Sequence, residues 1–328
     1  MDWNKGFESR YYCAFVDRES WRDIDRFEIT GGQIMRSTSE LIESADIECK
    51  NYIEGERWIR IWLDARQNGA TEHIPLFTGL STSPADDVDG NLISNTLECY
   101  SVLKPLQDIL LPRGWYAPSG SGEGLIIDLL SVTPAPAEVE DNIPILKQSI
   151  IAESGETNLS MLNKILLATG WRIKIKGDGT IMVCPYDRDP SAEFGLDNDS
   201  IEPHFTRTYD WYDCPNIFRV TNGDETATAI DDSEDSPMST VNRGREVWEE
   251  ETSCNLTTGE TLYEYASRRL KERQMVGHKI SYDRRFNPEV YVTDLVRLRY
   301  SQLSGLYLIT SQTIDIGYGA KTTEEAVR

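Results

Sequence analysis

The side chains able to ligate soft metals, or to pair as nucleophile and base near neutral pH, are three histidines and six cysteines. His73, His204 and His278 lie in separate segments, none inside an H-E-x-x-H pattern. Cys13, Cys49, Cys99, Cys184, Cys214 and Cys254 fall singly, with no C-x-x-C pair, and no G-x-S-x-G elbow occurs. The expectation is buried thiols in a reduced compartment and no metal or acyl-transfer centre.

Carboxylates are abundant, 55 against 33 Lys and Arg, so glycoside cleavage by paired acids must be weighed. The dense runs are Asp231 to Asp235 and Glu249 to Glu251. A catalytic pair needs one acid raised by an apolar setting, whereas adjacent acids on a strand alternate faces and runs in polar chain stay solvated. Asp87, Asp89 and Gly90 occupy three positions of a calcium loop. Ala85 stands at its first ligand position, however, and Thr96 where a bidentate Glu is required, so the segment reads as a hairpin turn. "SGSGEGLIID" offers backbone amides without the spacing of either phosphate-binding glycine loop, and reads as a loop. Trp58, Trp62, Trp115 and Trp171 suit a sugar groove by type, but their places in alternating strands and at loop anchors mark them as core. No catalytic, cofactor-binding or metal-binding residue is assigned, and no cofactor is expected.

The elements around these residues are mainly strands. At 328 residues the chain exceeds one hydrophobic core, and its 39% hydrophobic content with eight Trp and fifteen Tyr favours strand-rich packing. The net charge of −22 argues against a surface that grips phosphate backbones. It suits solubility, and also a conduit whose wall repels DNA passing through. The start "MDWNKGFESRYYC" lacks a signal peptide's basic and apolar regions, and no apolar run reaches the roughly 20 residues that span a bilayer. Synthesis in the cytoplasm and no membrane insertion are expected.

From Tyr11 to about Leu103 short strands follow one another: "YYCAFV", "FEITGGQIM" with a hairpin expected at Gly31-Gly32, "ADIECKNYI", "WIRIWLDA", and a hairpin through Asp89-Gly90. Such spacing suggests a barrel or a sandwich. Pro, Gly and Ser then concentrate after Lys104-Pro105, marking a boundary. Beyond it, Leu159, Leu162, Ile165 and Leu166 have helical spacing with Gly170 as a stop, and a hairpin turns through Gly177-Asp178-Gly179. Strands resume at "PNIFRVTNGD" and "REVWEEE". Thr257 and Glu260 then open a helix with the stripe Leu262, Tyr265, Ala266 and Leu270.

The closing segment "VRLRYSQLSGLYLITSQTIDIG" repeats the hairpin pattern of "WIRIWLDARQNGATEHIPLFTGLSTSP". Ile59-Arg60-Ile61 aligns with Val296-Arg297-Leu298, and "PLFTGLSTS" more loosely with "GLYLITSQT". The expected fold is therefore mainly β with an α+β insertion. A first β-barrel domain spans 1–104, an α+β middle domain 105–205, and a second β-barrel domain with one buttressing helix 206–328.

The stretch "CPNIFRVTNGDETATAIDDSEDSPMSTVNRGREVWEEE", the helix "TLYEYASRRLKERQ" and "PEVYVTDLVRLRYSQLSGLYLITSQTIDI" follow in an order that resembles the baseplate hub proteins of contractile phage tails and tail-like bacteriocins. The likeness covers Cys214 to Ile316 best and "FEITGGQI" to "LSTSP" more faintly. It implies two tube-like barrels per chain and a homotrimer around a central channel, a six-unit ring fitting a hexameric tail tube above and a trimeric spike below. Strands at subunit boundaries would pair edge to edge, and the acidic loop at Asp231 to Asp235 would face solvent or lumen. The implied partners are tail tube, central spike, tape measure and other baseplate proteins, with DNA passing transiently and unbound. Beside this structural role stand a tail-associated peptidoglycan hydrolase and a carbohydrate-binding β module. No spike, lysozyme-like or peptidase segment is expected after Arg328 and no peptidoglycan-binding repeat is seen, so hydrolysis is expected of another chain.

Overall fold

The computed structural model describes residues 1–328 except 40, 51–52, 90–91, 188, 210, 213, 276 and 301–302. Seven strands fill the first third: β1 (Glu8–Val16), β2 (Asp23–Phe27), β3 (Ile29–Ser37), β4 (Glu43–Cys49), β5 (Arg57–Gln67), β6 (Ala70–Asp89) and β7 (Leu92–Ser101). They lie in the order β2-β1-β5-β6-β7-β4-β3, and all neighbours are antiparallel. Period-two alternation sends Ala45, Ile47, Ile59, Ile61 and Leu97 into one core. β5 and β6 are joined at Asn68-Gly69, both at positive φ (52° and 82°), as a tight hairpin requires.

Gly31-Gly32 does not turn the chain. β3 runs straight through it with a bulge between Ile29 and Gly31, and the reversal comes between β3 and β4 instead. Gly32 has φ 135°, and a Cβ there would lie 2.2 Å from the Asp46 carbonyl oxygen. A bulge and a turn make the same demand for glycine, so the pattern alone did not separate them.

The middle unit carries α1 (Lys104–Asp108), β8 (Tyr116–Ala117), α2 (Glu123–Leu130), β9 (Ala137–Val139), β10 (Ile150–Ile151), α3 (Asn158–Thr169), β11 (Trp171–Ile175) and β12 (Ile181–Pro185). α3 is the expected helix. Thr157 Oγ1 accepts from the Ser160 amide at its start, and Gly170 ends it at φ 67°. β12 pairs antiparallel with β11 and parallel with β9, over a core that includes Leu106, Ile126, Leu162, Ile173 and Val183. The β11–β12 turn docks on the first sheet: Thr78 Oγ1 donates to Gly177 O (2.8 Å), and Arg60 Nη2 and Trp21 Nε1 donate to Asp178 O (3.0 and 2.9 Å).

The last part comprises β13 (Ala192–Gly195), β14 (Ile201–Tyr209), β15 (Ile217–Asn222), β16 (Glu225–Ile230), α4 (Thr240–Arg243), β17 (Trp248–Thr252), α5 (Leu262–Met275), β18 (His278–Arg284), β19 (Leu295–Arg299), β20 (Ser304–Asp315) and β21 (Thr322–Val327). β13 and β14 pair with β19 and β18, so this sheet begins ahead of residue 206. β16-β15-β17 form a separate small sheet, and Phe218 and Val220 from it share a core with Tyr265 and Leu270 of α5. The helix therefore buttresses this inserted sheet rather than a second barrel. It also starts later than expected. Thr261 caps it reciprocally with Glu264, one turn beyond the Thr257–Glu260 pair.

Among the described residues the strands of the two expected tube-like β-barrels do not close into separate barrels. β20 pairs with β19 through Ser304–Leu308 and with β3 through Ser311–Asp315, merging both strand sets into one 13-stranded sheet. Among the described residues its path is open at β2 and β14. Among the described residues β1 and β3 are not paired, and β20 takes the outer edge of β3 from Gln33 to Ser37. The β20–β21 turn fills the gap instead, where Ser9 Oγ and Tyr11 OH donate to Gly317 O (3.2 and 2.8 Å).

Candidate assembly interface

The two halves of the large sheet repeat one strand order. The path β1-β5-β6-β7-β4-β3 is matched by β13-β19-β20-β21-β18-β14, and the matched strands occur in the same sequence along the chain. One difference is that β1 runs antiparallel to β5 whereas β13 runs parallel to β19. The bulges coincide: Ser81 and Ser83 face Cys99 and Glu98 with Thr82 bulged out, while Ile309 and Ser311 face Ala326 and Glu325 with Thr310 bulged out. "LSTS" at Leu80 to Ser83 and "LITS" at Leu308 to Ser311 are thus equivalent.

The register expected from Ile59-Arg60-Ile61 and Val296-Arg297-Leu298 holds. Trp58 pairs with Leu80 and Ile59 with Gly79, as Leu295 pairs with Leu308 and Val296 with Tyr307. The looser "PLFTGLSTS"/"GLYLITSQT" match is two residues out of step with the same pairing.

The seam between the halves is sealed by a buried polar chain. Arg36 of β3 donates to Glu43 (3.3 Å) and to Gln312 Oε1 (2.8 Å). Gln312 Nε2 donates to Glu324 Oε1 (2.8 Å), which also accepts from Arg284 Nη2 (2.6 Å), and Tyr282 OH donates to Glu324 Oε2 (2.7 Å). Arg36 and Arg284 thus face Glu43 and Glu324 inside the sheet, where an unpaired charge would cost several kcal/mol. Burial pushes the Glu43 carboxyl up to about 7, with Arg36 opposing.

A second cluster, around the buried Asp294, ties the middle unit to the residue before β19. Arg172 Nη1 and Lys174 Nζ both reach Asp294 (3.1 and 3.0 Å), and Arg172 Nη2 reaches Asp187 (2.6 Å). Arg172 alternates with Trp171 and Ile173 along β11 and is nevertheless interior, at 4% exposure.

The structure does not bring the other chemistry-bearing residues together. His73 meets Asp64 on an exposed hairpin, His204 lies on β14, and His278 stacks on Tyr209 with ring centroids 4.8 Å apart. All six cysteines are buried, and burial raises the thiols of Cys13, Cys49, Cys99, Cys184 and Cys254. Glu249 pairs with Arg273, and Glu251 accepts from Tyr265 OH (2.5 Å) and Arg269 (3.3 Å). Of the acidic run, Asp232, Glu234 and Asp235 are exposed. Asp89 ends β6, and Gly90 lies outside the described residues. Trp58 packs against Trp21 and the middle core, and Trp171 is itself part of that core. Among the described residues no group of three or more His, Cys, Asp or Glu is placed to hold a metal.

A 43 kDa tail protein of prophage MuSo2 from Shewanella oneidensis superposes with a TM-score of 0.71 at 14% identity, over 98% of this chain and 96% of that one. The chain has the fold of a phage tail protein. A tail protein from Neisseria meningitidis MC58 gives 0.72 at 14% identity, covering 99% and 97% of the two chains. The E. coli c3393 protein, a type VI secretion component described as similar to the T4 tail proteins gp27 and gp5, gives 0.50 at 9% identity over 98% of this chain and 73% of its own. In sequence, no family model and no curated protein matches.

Proposed function

We propose that this tail-protein fold serves as the structural baseplate hub of a contractile phage tail or tail-like bacteriocin. Three copies form a ring of six quasi-equivalent modules that joins a six-fold tail tube to a three-fold spike. The observation that carries this reading is the doubled strand order with its coincident bulge, because a trimer of a doubled chain is the simplest closed object with both symmetries.

Each module is an open, tube-like barrel: the first from 1–104, the second from the last part of the chain, and the α+β unit on the outside. Tube, spike, tape measure and other baseplate proteins are the partners, and the particle's baseplate is the location. The chain acts as scaffold and not as enzyme, and its excess of acids lets DNA pass the lumen without being held. End-on electron microscopy of the purified chain tests this. Rings with six lobes, three-fold symmetry and a central hole support the hub, and particles without that symmetry overturn it.

A further inference from the structure

Within the chain, β20 offers two successive pairing segments on one side. Ser304–Leu308 takes β19, and Ser311–Asp315, past the bulge, takes β3. Its equivalent β6 is built alike. β5 ends its pairing at Ser81, and beyond the bulge the stretch from Ser83 to Asp89 has β7 on one side and no described strand on the other. The equivalent of β3 is β14, which among the described residues ends the sheet path with only β18 beside it. One donor edge and one acceptor edge are therefore joined inside the molecule, and the matching pair is left open.

We infer that β14 of one copy pairs antiparallel with the outer half of β6 of the next, in the register of the β3–β20 seam. This rests on the ring reading for the identity of the occupant, a second copy of this chain. Strand equivalences carry the register across: Ser281 faces Glu325 as Asp46 faces Glu98, and Thr206 faces Ser281 as Gln33 faces Asp46. The seam pair Ile314–Ile34 then becomes Asp86–Arg207, and Thr313–Met35 becomes Ala85–Thr208.

The side chains suit that register. Asp86 is exposed and falls opposite Arg207, whose guanidinium lies 5.9 and 6.0 Å from the rings of Phe205 and Tyr209. In a chain of net charge −22, an opposite pair at the contact gives the head-to-tail arrangement its direction. Tyr209, itself half exposed, falls opposite Pro84. Pro84 has no N–H to donate, so the new ladder has one bond fewer than the internal seam, and registers slipped towards Pro203 lose more.

At the seam, the Thr38 amide donates to Thr310 O and the Ile316 amide to Gly32 O, which makes Thr313–Met35 a non-hydrogen-bonded pair. Ala85 and Thr208 inherit that geometry, with Cα atoms about 4.5 Å apart, within the span of a disulfide.

The full chain carrying Ala85→Cys and Thr208→Cys, oxidised and run on a non-reducing gel, tests the pairing against each single variant. The native thiols are buried, which leaves the introduced ones as the reactive pair. Expected is a covalent three-chain species from the double variant alone. Asp86→Arg or Arg207→Asp should each weaken self-association about tenfold, with most of the loss recovered in the combined exchange. A three-chain mass by light scattering with no interchain disulfide and no recovery would overturn this edge pairing while leaving the ring intact. A chain that stays single at high concentration removes the ring and this contact together.

Discussion

Arg36 and Glu324, 288 residues apart in sequence, share one side chain: Gln312 accepts from Arg36 Nη1 and donates to Glu324 Oε1, each at 2.8 Å. Arg36 comes from the first strand set and Glu324 from the last strand of the second. The amide serves because it is donor and acceptor at once, so it joins two ion pairs without adding charge.

Replacing it tests that linkage. Gln312→Leu keeps similar volume but strips a partner from both Arg36 and Glu324, and should cost about 2–4 kcal/mol in urea unfolding. A loss below about 0.5 kcal/mol would show that the two halves hold together without the polar chain.

Glu43 gives a pH signature. Its folded value of about 7 lies above the ordinary 4.5, because burial outweighs the pull of Arg36, and its Oε1 has no hydrogen-bond partner among the described residues. A carboxyl raised on folding favours the folded state fully below about 4.5, and that contribution fades as pH climbs through 7. The stability difference between Glu43→Gln and the native chain should therefore shift towards the variant by about 3 kcal/mol from pH 4.5 to pH 8. A difference flat with pH would contradict the account.

Gly177 is set by contact rather than by backbone angle. A Cβ there would fall 1.8 Å from the Pro75 carbonyl oxygen, so Gly177→Ala should lift the β11–β12 turn off the first sheet at a cost of about 1–3 kcal/mol. Gly124, on α2 with nothing within 4 Å of its would-be Cβ, is the control. Gly124→Ala should stabilise by about 0.5–1 kcal/mol. Thermal unfolding of the two variants should move in opposite directions.

The cap of α5 is Thr261, and its amide and hydroxyl both meet Glu264 Oε2 at 2.8 Å. Thr261→Ala should cost about 1 kcal/mol and expose the first turn to hydrogen exchange. Thr257→Ala, at contacts of 3.4 Å, should cost less. The reverse ranking would place the helix start one turn earlier.

What the sequence made legible follows from periodicity. The helix Asn158–Thr169, the hairpin β11–β12 and the equivalence of Ile59-Arg60-Ile61 with Val296-Arg297-Leu298 all depend on local pattern, and all lie where it puts them. Closure of the two halves is not legible because edge pairing between β3 and β20 joins residues nearly 280 positions apart and leaves no local mark. The seam network is hidden for a different reason. Arg36 follows Ile34, and Glu324 lies between Thr322 and Ala326, all on inward-facing alternate positions. A charged residue in that phase was the available signal, but its partner could only be named once both strands were in view. The inserted β15–β17 sheet was hidden likewise, because β17 returns parallel to β15 across an irregular stretch.

Light scattering on the intact chain over a wide concentration range tests the central claim most directly. Two like modules in each subunit predict a particle of three times the 37.3 kDa chain mass, persisting on dilution. A mass of one chain at the highest soluble concentration would contradict it.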